Sequence, residues 1–374
     1  MYVPVGKPLF GKEESEYVND ALNRTEISGF SGTYIPRFEK EFAAFCGTED
    51  AVTVSSGTAA LHLALATLKI GPGDEVLASS FTNMATFFAI LYQGATPVAI
   101  DSEPDTLNMD PALLESKITP RTKAILVVHI YGQVADMDPI MAIAKKHNLY
   151  VIEDAAEAHG AEYKGKKAGS FGDIGCFSFY ANKIITTGEG GMLTMHNPEH
   201  AARARSLKAL AFGSPNKFMH ADIGYNYRLT NLQAAIGVAQ LGRIEEILSR
   251  KRTMAAYYNE HLAGIEGLRL PTELPDTKSV WWMYNVRLEG KYAGKRTKLM
   301  KDLQARGVES REDFIPFNDQ EIFIERGLVQ AGDCPIASEA GREGFYIPSG
   351  TDITEEEQVY VVSQIREVIS SLAT

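Results

Sequence analysis

Phe177-Ser178-Phe179-Tyr180-Ala181-Asn182-Lys183 runs directly into Ile184-Ile185-Thr186-Thr187-Gly188-Glu189-Gly190-Gly191. The first part is a short apolar run of the kind that forms a buried strand, and it ends on a lysine just ahead of a glycine-rich bend. A lone lysine is ordinarily a solvated surface residue. This one leaves the end of a buried strand, so its amine is expected in a cleft, where desolvation or a nearby cation lowers its pKa toward the nucleophilic form. The glycines invite a dinucleotide-loop reading, but Gly188-Glu189-Gly190-Gly191 lacks that spacing and opens no helix, so it is set aside.

Outward from this stretch, short runs alternate with amphipathic segments between Ala51 and Met195. The runs are Ala51–Val54, Glu75–Ser80, Thr96–Asp101, Ala124–Tyr131, Tyr150–Ala155, Gly175–Tyr180 and Gly191–Met195. They read as buried strands. Between them, Thr58–Lys69 and Asp138–Lys146 carry helix-spaced Leu, Ile and Ala, which predicts an α/β domain with a large, mostly parallel sheet. Near Thr230 the character changes: Thr230-Asn231-Leu232-Gln233 is a capping box that starts a long helix. That helix is expected to lead from a large domain, 1–245, into a smaller C-terminal α+β domain, 246–374. The smaller domain should hold a strand over Ser279–Leu288, a helix over Thr297–Gly307 and a last helix from about Thr354.

The bulk composition narrows the function classes. A chain of 374 residues, 45% hydrophobic and 23% charged, is ordinary folded material. Its net charge of −11 opposes bulk binding to nucleic acid or anionic membrane, so an anionic ligand needs a local positive site. The start, Met1-Tyr2-Val3-Pro4-Val5, has no signal-peptide pattern and no apolar run approaches membrane-spanning length, so the cytoplasm is the expected location. Cys46, Cys176 and Cys334 stand far apart, as do the eight histidines, so buried thiols and no metal are expected.

Two further segments carry chemistry. Val54-Ser55-Ser56-Gly57-Thr58-Ala59-Ala60-Leu61 is a strand end, a small polar turn and a helix start. Backbone N–H groups there suit a phosphate, although an ordinary helix cap reads the same way. Tyr150-Val151-Ile152-Glu153-Asp154-Ala155-Ala156-Glu157 is a strand ending on carboxylates, at the edge where open α/β sheets bind ligands. Asp154 could keep a pyridine nitrogen protonated, or it could merely cap the next helix with Glu157 completing a capping box. In this order, at successive strand ends, the three segments fit one cofactor, with phosphate, ring nitrogen and aldehyde each provided for.

The chain resembles the DegT/DnrJ/EryC1/StrS family of sugar aminotransferases, which use pyridoxal 5′-phosphate (PLP) on the aspartate aminotransferase fold, fold type I. The matching stretches are Val3-Pro4-Val5, Ser56-Gly57-Thr58, Val127-Val128-His129-Ile130-Tyr131-Gly132, Glu153–Glu157, Phe177–Gly191 and Gly224-Tyr225-Asn226-Tyr227-Arg228-Leu229-Thr230-Asn231. The resemblance implies that Lys183 carries the cofactor as a Schiff base, that Asp154 pairs with the pyridine nitrogen and that Glu157 meets the ring hydroxyl. It gives the phosphate to Gly57, Thr58 and Ser178. It also implies a homodimer with shared active sites, Asn226 reaching the phosphate of the neighbouring subunit. Arg228 is the candidate for the amino donor's carboxylate, since its planar fork matches that group.

The implied reaction moves the amino group of L-glutamate, by way of pyridoxamine 5′-phosphate, to a keto group of a nucleotide-linked deoxysugar. Within the family, Asn182–Met192 and Ile223–Arg228 are nearest to the subgroup that forms GDP-perosamine by amination at carbon 4. Three departures from that subgroup's pattern lie where the family meets its sugar. Asn83 stands where an aromatic residue flanks the cofactor ring, Glu26 lies in the loop around Ser28 where the subgroup has Trp, and Asn318 follows Pro316-Phe317 where it has His. UDP- or dTDP-linked 3- or 4-ketosugars are the alternative substrates. A sugar 3-dehydratase is disfavoured by Lys183, which such members replace with histidine, and a non-catalytic regulator by the lack of length for a DNA-binding module.

Overall fold

The computed structural model describes residues 1–213, 216–220 and 222–372. A seven-stranded sheet lies at its centre, in the spatial order Asp50–Val54, Gly191–Met195, Ile174–Ser178, Tyr150–Asp154, Thr122–Val128, Glu75–Ser79, Thr96–Ile100. The last five are mutually parallel. Gly191–Met195 runs antiparallel to both of its neighbours, which restores the common direction in Asp50–Val54. Three of these strands, Glu75–Ser79, Ile174–Ser178 and Gly191–Met195, are buried throughout, and covering helices shield the sheet. The helix Gly57–Thr67 is buried from Ala59 through Thr67, and its nearly all-apolar sequence is what a helix inside a large core needs.

Topology gathers the chemistry. Because six of the seven strands point the same way, their C-terminal ends open on one edge, where an open parallel sheet binds its ligand. Ser55–Thr58, Ser80–Thr86, His129–Tyr131, Asp154–Glu157 and Ser178–Lys183 all follow those ends.

Beyond the sheet lies a second core around Met254, Tyr258, Val286, Leu299, Phe345, Val361 and Ile365. It is built on the antiparallel strands Leu268–Arg269, Tyr284–Leu288, Gly344–Ile347 and Arg311–Glu312, with the helices Arg296–Ala305 and Glu355–Leu372. Val3, bridged to Val308, belongs to this second core, whereas Phe317, Phe323 and Ala337 return to the first. The helix Ile244–Leu262 joins the two cores, with Ile247 and Leu248 packed in the first and Met254 and Tyr258 in the second.

Three elements differ from the sequence expectation. The long helix beginning after Thr230 has the predicted capping box but breaks into Asn231–Gly242 and Ile244–Leu262 at Arg243, whose backbone is non-helical. Gly242 is a weak helix former, and Arg243 faces Glu14 and Glu246 at the bend. The strand over Ser279–Leu288 is regular only from Tyr284, because Trp281 takes φ 52° and Val280 and Trp282 donate their N–H groups to Gly132 and Tyr131 of the larger unit. Ala124–Tyr131 likewise leaves the sheet after Val128, turning at Tyr131 with φ 52°.

Candidate active site

Lys183 is largely buried, with Nζ 3.9 Å from Glu157 Oε1 and 3.7 Å from the centroid of the Trp282 ring. Burial lowers its pKa, against the opposing pull of Glu157 and Asp154. Burial likewise raises the Glu157 carboxyl, whose Oε2 accepts the Tyr131 N–H at 2.7 Å. Burial thus pushes both partners toward their neutral forms, the lysine's pKa down and the glutamate's up.

Asp154 is buried, and burial raises its pKa as well. Two donors hold it: the Thr86 hydroxyl at 2.8 Å on Oδ2 and the Ala156 N–H at 3.3 Å on Oδ1. No helix follows among residues 155–161, so the cap reading of Asp154 and Glu157 has no helix to serve. Beneath lies His129. Its Nδ1 accepts the Ala135 N–H at 3.2 Å, so the proton sits on Nε2 and donates to Glu153 at 3.0 Å. Glu153 also accepts N–H groups from Gly169, Phe171 and Gly172, which fixes this floor rigidly.

At the start of Gly57–Thr67, the Ser56 hydroxyl accepts the Ala59 N–H at 3.1 Å. The N–H groups of Gly57 and Thr58 lie in the first turn, where no intrahelical acceptor exists. A Cβ on Gly57 would come within 2.7 Å of Ser178 Cβ, so glycine is required for the turn to approach Ser178. The cap and phosphate readings therefore coexist: one hydroxyl caps, and two N–H groups with the Ser178 hydroxyl remain for an anion.

The other expected residues are more dispersed. Asn83 is exposed, its Oδ1 accepting the Ala85 N–H at 3.0 Å, at the start of the helix Ala85–Tyr92. Ser28, exposed, has its Oγ 3.4 Å from that of Ser31, and Gly29 packs against Arg228. The Arg228 guanidinium stacks on Phe30 at 4.1 Å and keeps Nη1 buried without a hydrogen-bond partner. Asn226 points to the surface beside Ile223, which is 84% exposed. Asn318 is a different matter: it is fully buried, accepting the Ser80 hydroxyl at 2.7 Å and donating to Ser338 and Asp319 at 2.8 Å each. With its amide spent internally, it brackets two segments and is not offered to a ligand.

Sequence reasoning missed Thr86, which steadies Asp154, and Trp282, which roofs Lys183. A cavity of about 260 Å³ opens beside Lys183 and Trp282, lined also by Lys7, Lys251 and Arg311, on the side away from Thr86, Asp154 and Ser178, none of which lines it. The donor set fits PLP: unpartnered first-turn N–H groups for its phosphate, a buried carboxylate for its ring nitrogen and a buried amine for its aldehyde.

The comparisons agree with this chemistry. The family model described as the DegT/DnrJ/EryC1/StrS aminotransferase family matches residues 8–366. A GDP-perosamine synthase from Caulobacter vibrioides is 44% identical over 98% of both chains, and one from Escherichia coli O157:H7 is 40% identical over 99% of both. Streptomyces venezuelae DesV, crystallised in complex with a ketimine intermediate, superposes with a TM-score of 0.90 at 37% identity, over 96% of this chain and 94% of its own. No helix among the described residues is long and apolar enough to cross a membrane.

Proposed function

Because the chain belongs to the DegT/DnrJ/EryC1/StrS aminotransferase family, a PLP-dependent one, we propose that it transfers the amino group of L-glutamate to carbon 4 of GDP-4-keto-6-deoxymannose, giving GDP-perosamine. The substrate reading rests on the identity to the synthases of C. vibrioides and E. coli. The observation that carries the site is the buried Lys183 amine beside Glu157, with Asp154 behind it on the same sheet edge.

The cofactor, when bound, supplies a protonated ring that draws electrons from the carbon losing its proton. Lys183 Nζ would hold the cofactor and, as a free amine, would take the α proton of the amino donor and return it. Asp154 would pair with the ring nitrogen, the donations from Thr86 and Ala156 favouring its ionised form against the effect of burial. Glu157 faces the ring hydroxyl. Gly57, Thr58 and Ser178 hold the phosphate. Arg228, with its unpaired Nη1, takes the donor carboxylate, and Ser28 and Asn83 lie toward the sugar.

The working unit in this reading is a homodimer in which Asn226 completes the partner's phosphate site. The exposed Phe218, Met219 and Ile223 around Asn226 support it, since apolar side chains clustered on one loop are what a subunit contact covers.

The deciding experiment is an absorbance spectrum of the PLP-loaded protein on addition of L-glutamate, followed by GDP-, UDP- and dTDP-linked 4-keto and 3-keto deoxysugars. Glutamate should convert the bound chromophore to the pyridoxamine form, and GDP-4-keto-6-deoxymannose should restore it. Restoration by a different ketosugar alone would overturn the substrate. No response to glutamate would overturn the reaction.

A further inference from the structure

Trp282 touches the lysine segment twice. Its ring face lies 3.7 Å from Lys183 Nζ, and its Nε1–H donates to the carbonyl of Asn182, the residue before Lys183, at 2.7 Å. The indole therefore meets both the amine and the backbone that carries it. Its own main chain is pinned from two sides. The Trp282 N–H donates to Tyr131 O at 2.9 Å, and the Trp282 carbonyl accepts from the buried Lys251 ammonium at 3.0 Å, which also donates to Ser349 O. The ring stacks in addition near Tyr131, whose N–H is held by Glu157. Lys251 stands on the helix that joins the two cores.

We infer that Trp282 is a positioning residue for the lysine: a rigid aromatic seat that holds the Lys183 side chain whenever its amine is free, and favours the ammonium form. Burial alone favours the neutral amine, and an ammonium over a desolvated indole face recovers part of that loss. The charged and titratable groups around the amine are Glu157 and Asp154 on the sheet edge, the buried His159, whose imidazole burial pushes down to about 3, and Lys7, Arg311 and Lys251 around the cavity, the last pushed by burial down to about 7. The carboxylates and the indole favour the cation and the other cations oppose it. Without the indole a freed lysine would have the same neighbours but no fixed direction. The inference builds on the reading of Lys183 as the reactive lysine, but it concerns the lysine of the cofactor-free protein and is tested there.

The test measures the pH dependence of Lys183 acylation by trace acetic anhydride in cofactor-free protein, read by peptide mass spectrometry, in wild type, Trp282→Phe and Trp282→Leu. Removing the aromatic face should lower the Lys183 pKa by about one unit, a tenfold change in the free-amine fraction at a given pH. Trp282→Phe keeps a face and should stay near wild type in pKa, while hydrogen exchange at the Lys183 and Ile184 amides rises because the bond to Asn182 is gone. An unchanged or raised Lys183 pKa in Trp282→Leu overturns the inference. So does a Trp282→Phe protein that behaves as Trp282→Leu does, because the ring face would then have no part in it. If the pKa responds as expected but PLP never links to Lys183, the functional reading fails and the seat remains.

Discussion

Replacing Thr86 with valine would change one hydroxyl for one methyl inside the core and remove the stronger of the two donors on Asp154. Thr86 has a single hydroxyl proton, given to Asp154 Oδ2 at 2.8 Å, so its 2.9 Å contact with Thr82 is a donation from Thr82. The Thr82 hydroxyl would lose its acceptor at the same time. A hydrogen bond to a charged group is worth about 1.5–3 kcal/mol, which corresponds to a rise of about one to two units in the Asp154 pKa. Burial already holds that pKa above the ordinary carboxyl value, so the folded protein binds this proton more tightly than the unfolded chain does. A carboxyl of that kind weakens folding at pH above its folded pKa, and the weakening is relieved as the pH falls through it. Thr86→Val should therefore lose about 1.5–3 kcal/mol in urea denaturation at pH 8 and distinctly less at pH 5. In the loaded enzyme the acid limb of the kcat profile should move up by about one to two units, because Asp154 must be ionised to face a protonated ring nitrogen. A stability loss equal at both pH values, together with an unmoved acid limb, would show that Thr86 only fills space and that the Asp154 assignment needs another support.

Lys183→Ala should abolish turnover and remove the absorbance band of lysine-bound cofactor; appreciable steady-state activity would end the proposed mechanism. Asp154→Ala should lower kcat by several orders of magnitude with the fold intact by circular dichroism, and a nearly normal rate would leave Asp154 no role at the ring. Mixing inactive Lys183→Ala with inactive Asn226→Ala protein should restore part of the activity through hybrid dimers. No rescue despite demonstrated subunit exchange would refute the shared site. Asn318→Ala should cost about 1–3 kcal/mol in stability, since the Ser80 hydroxyl loses its Asn318 acceptor while Ser338 keeps its bond to Asp319, and KM for the sugar should stay within about threefold; a large KM change at unchanged stability would return Asn318 to the substrate.

The sheet was legible because strands buried on both faces must be short unbroken apolar runs, and all seven runs of the sequence became its seven strands. Their ends were legible too, since a parallel sheet sends every strand's outgoing turn to one edge. Local patterning fails where a partner distant in the chain decides the conformation. Ser279–Met283 has the composition of a strand, yet the Val280 and Trp282 N–H groups go to Gly132 and Tyr131 in the larger unit, so the ladder starts only at Tyr284. Nothing within a few residues of Arg243 announces that the helices on its two sides serve different cores.

The same distinction separates the site residues that were found from those that were missed. Asp154 ends a strand, Gly57 opens a helix and Lys183 lies in the turn that follows the strand Ile174–Ser178, so their chemistry and their place are written in the same local stretch. Thr86 acts on Asp154 across 68 residues of chain and Trp282 on Asn182 across 100, and each looks by itself like ordinary core. Asn318 shows the converse. Its position after Pro316-Phe317 suggested a residue offered to the sugar, but the fold turns it inward to tie Ser80 to Ser338. A buried amide can be shared with a ligand only if its present partners are given up, and each hydrogen bond given up costs about 1 kcal/mol or more. Sugar selection must therefore rest on groups that keep open valences at the cavity or the subunit surface. The exposed Asn83 and the loop around Ser28 meet that condition, and Asn318 does not.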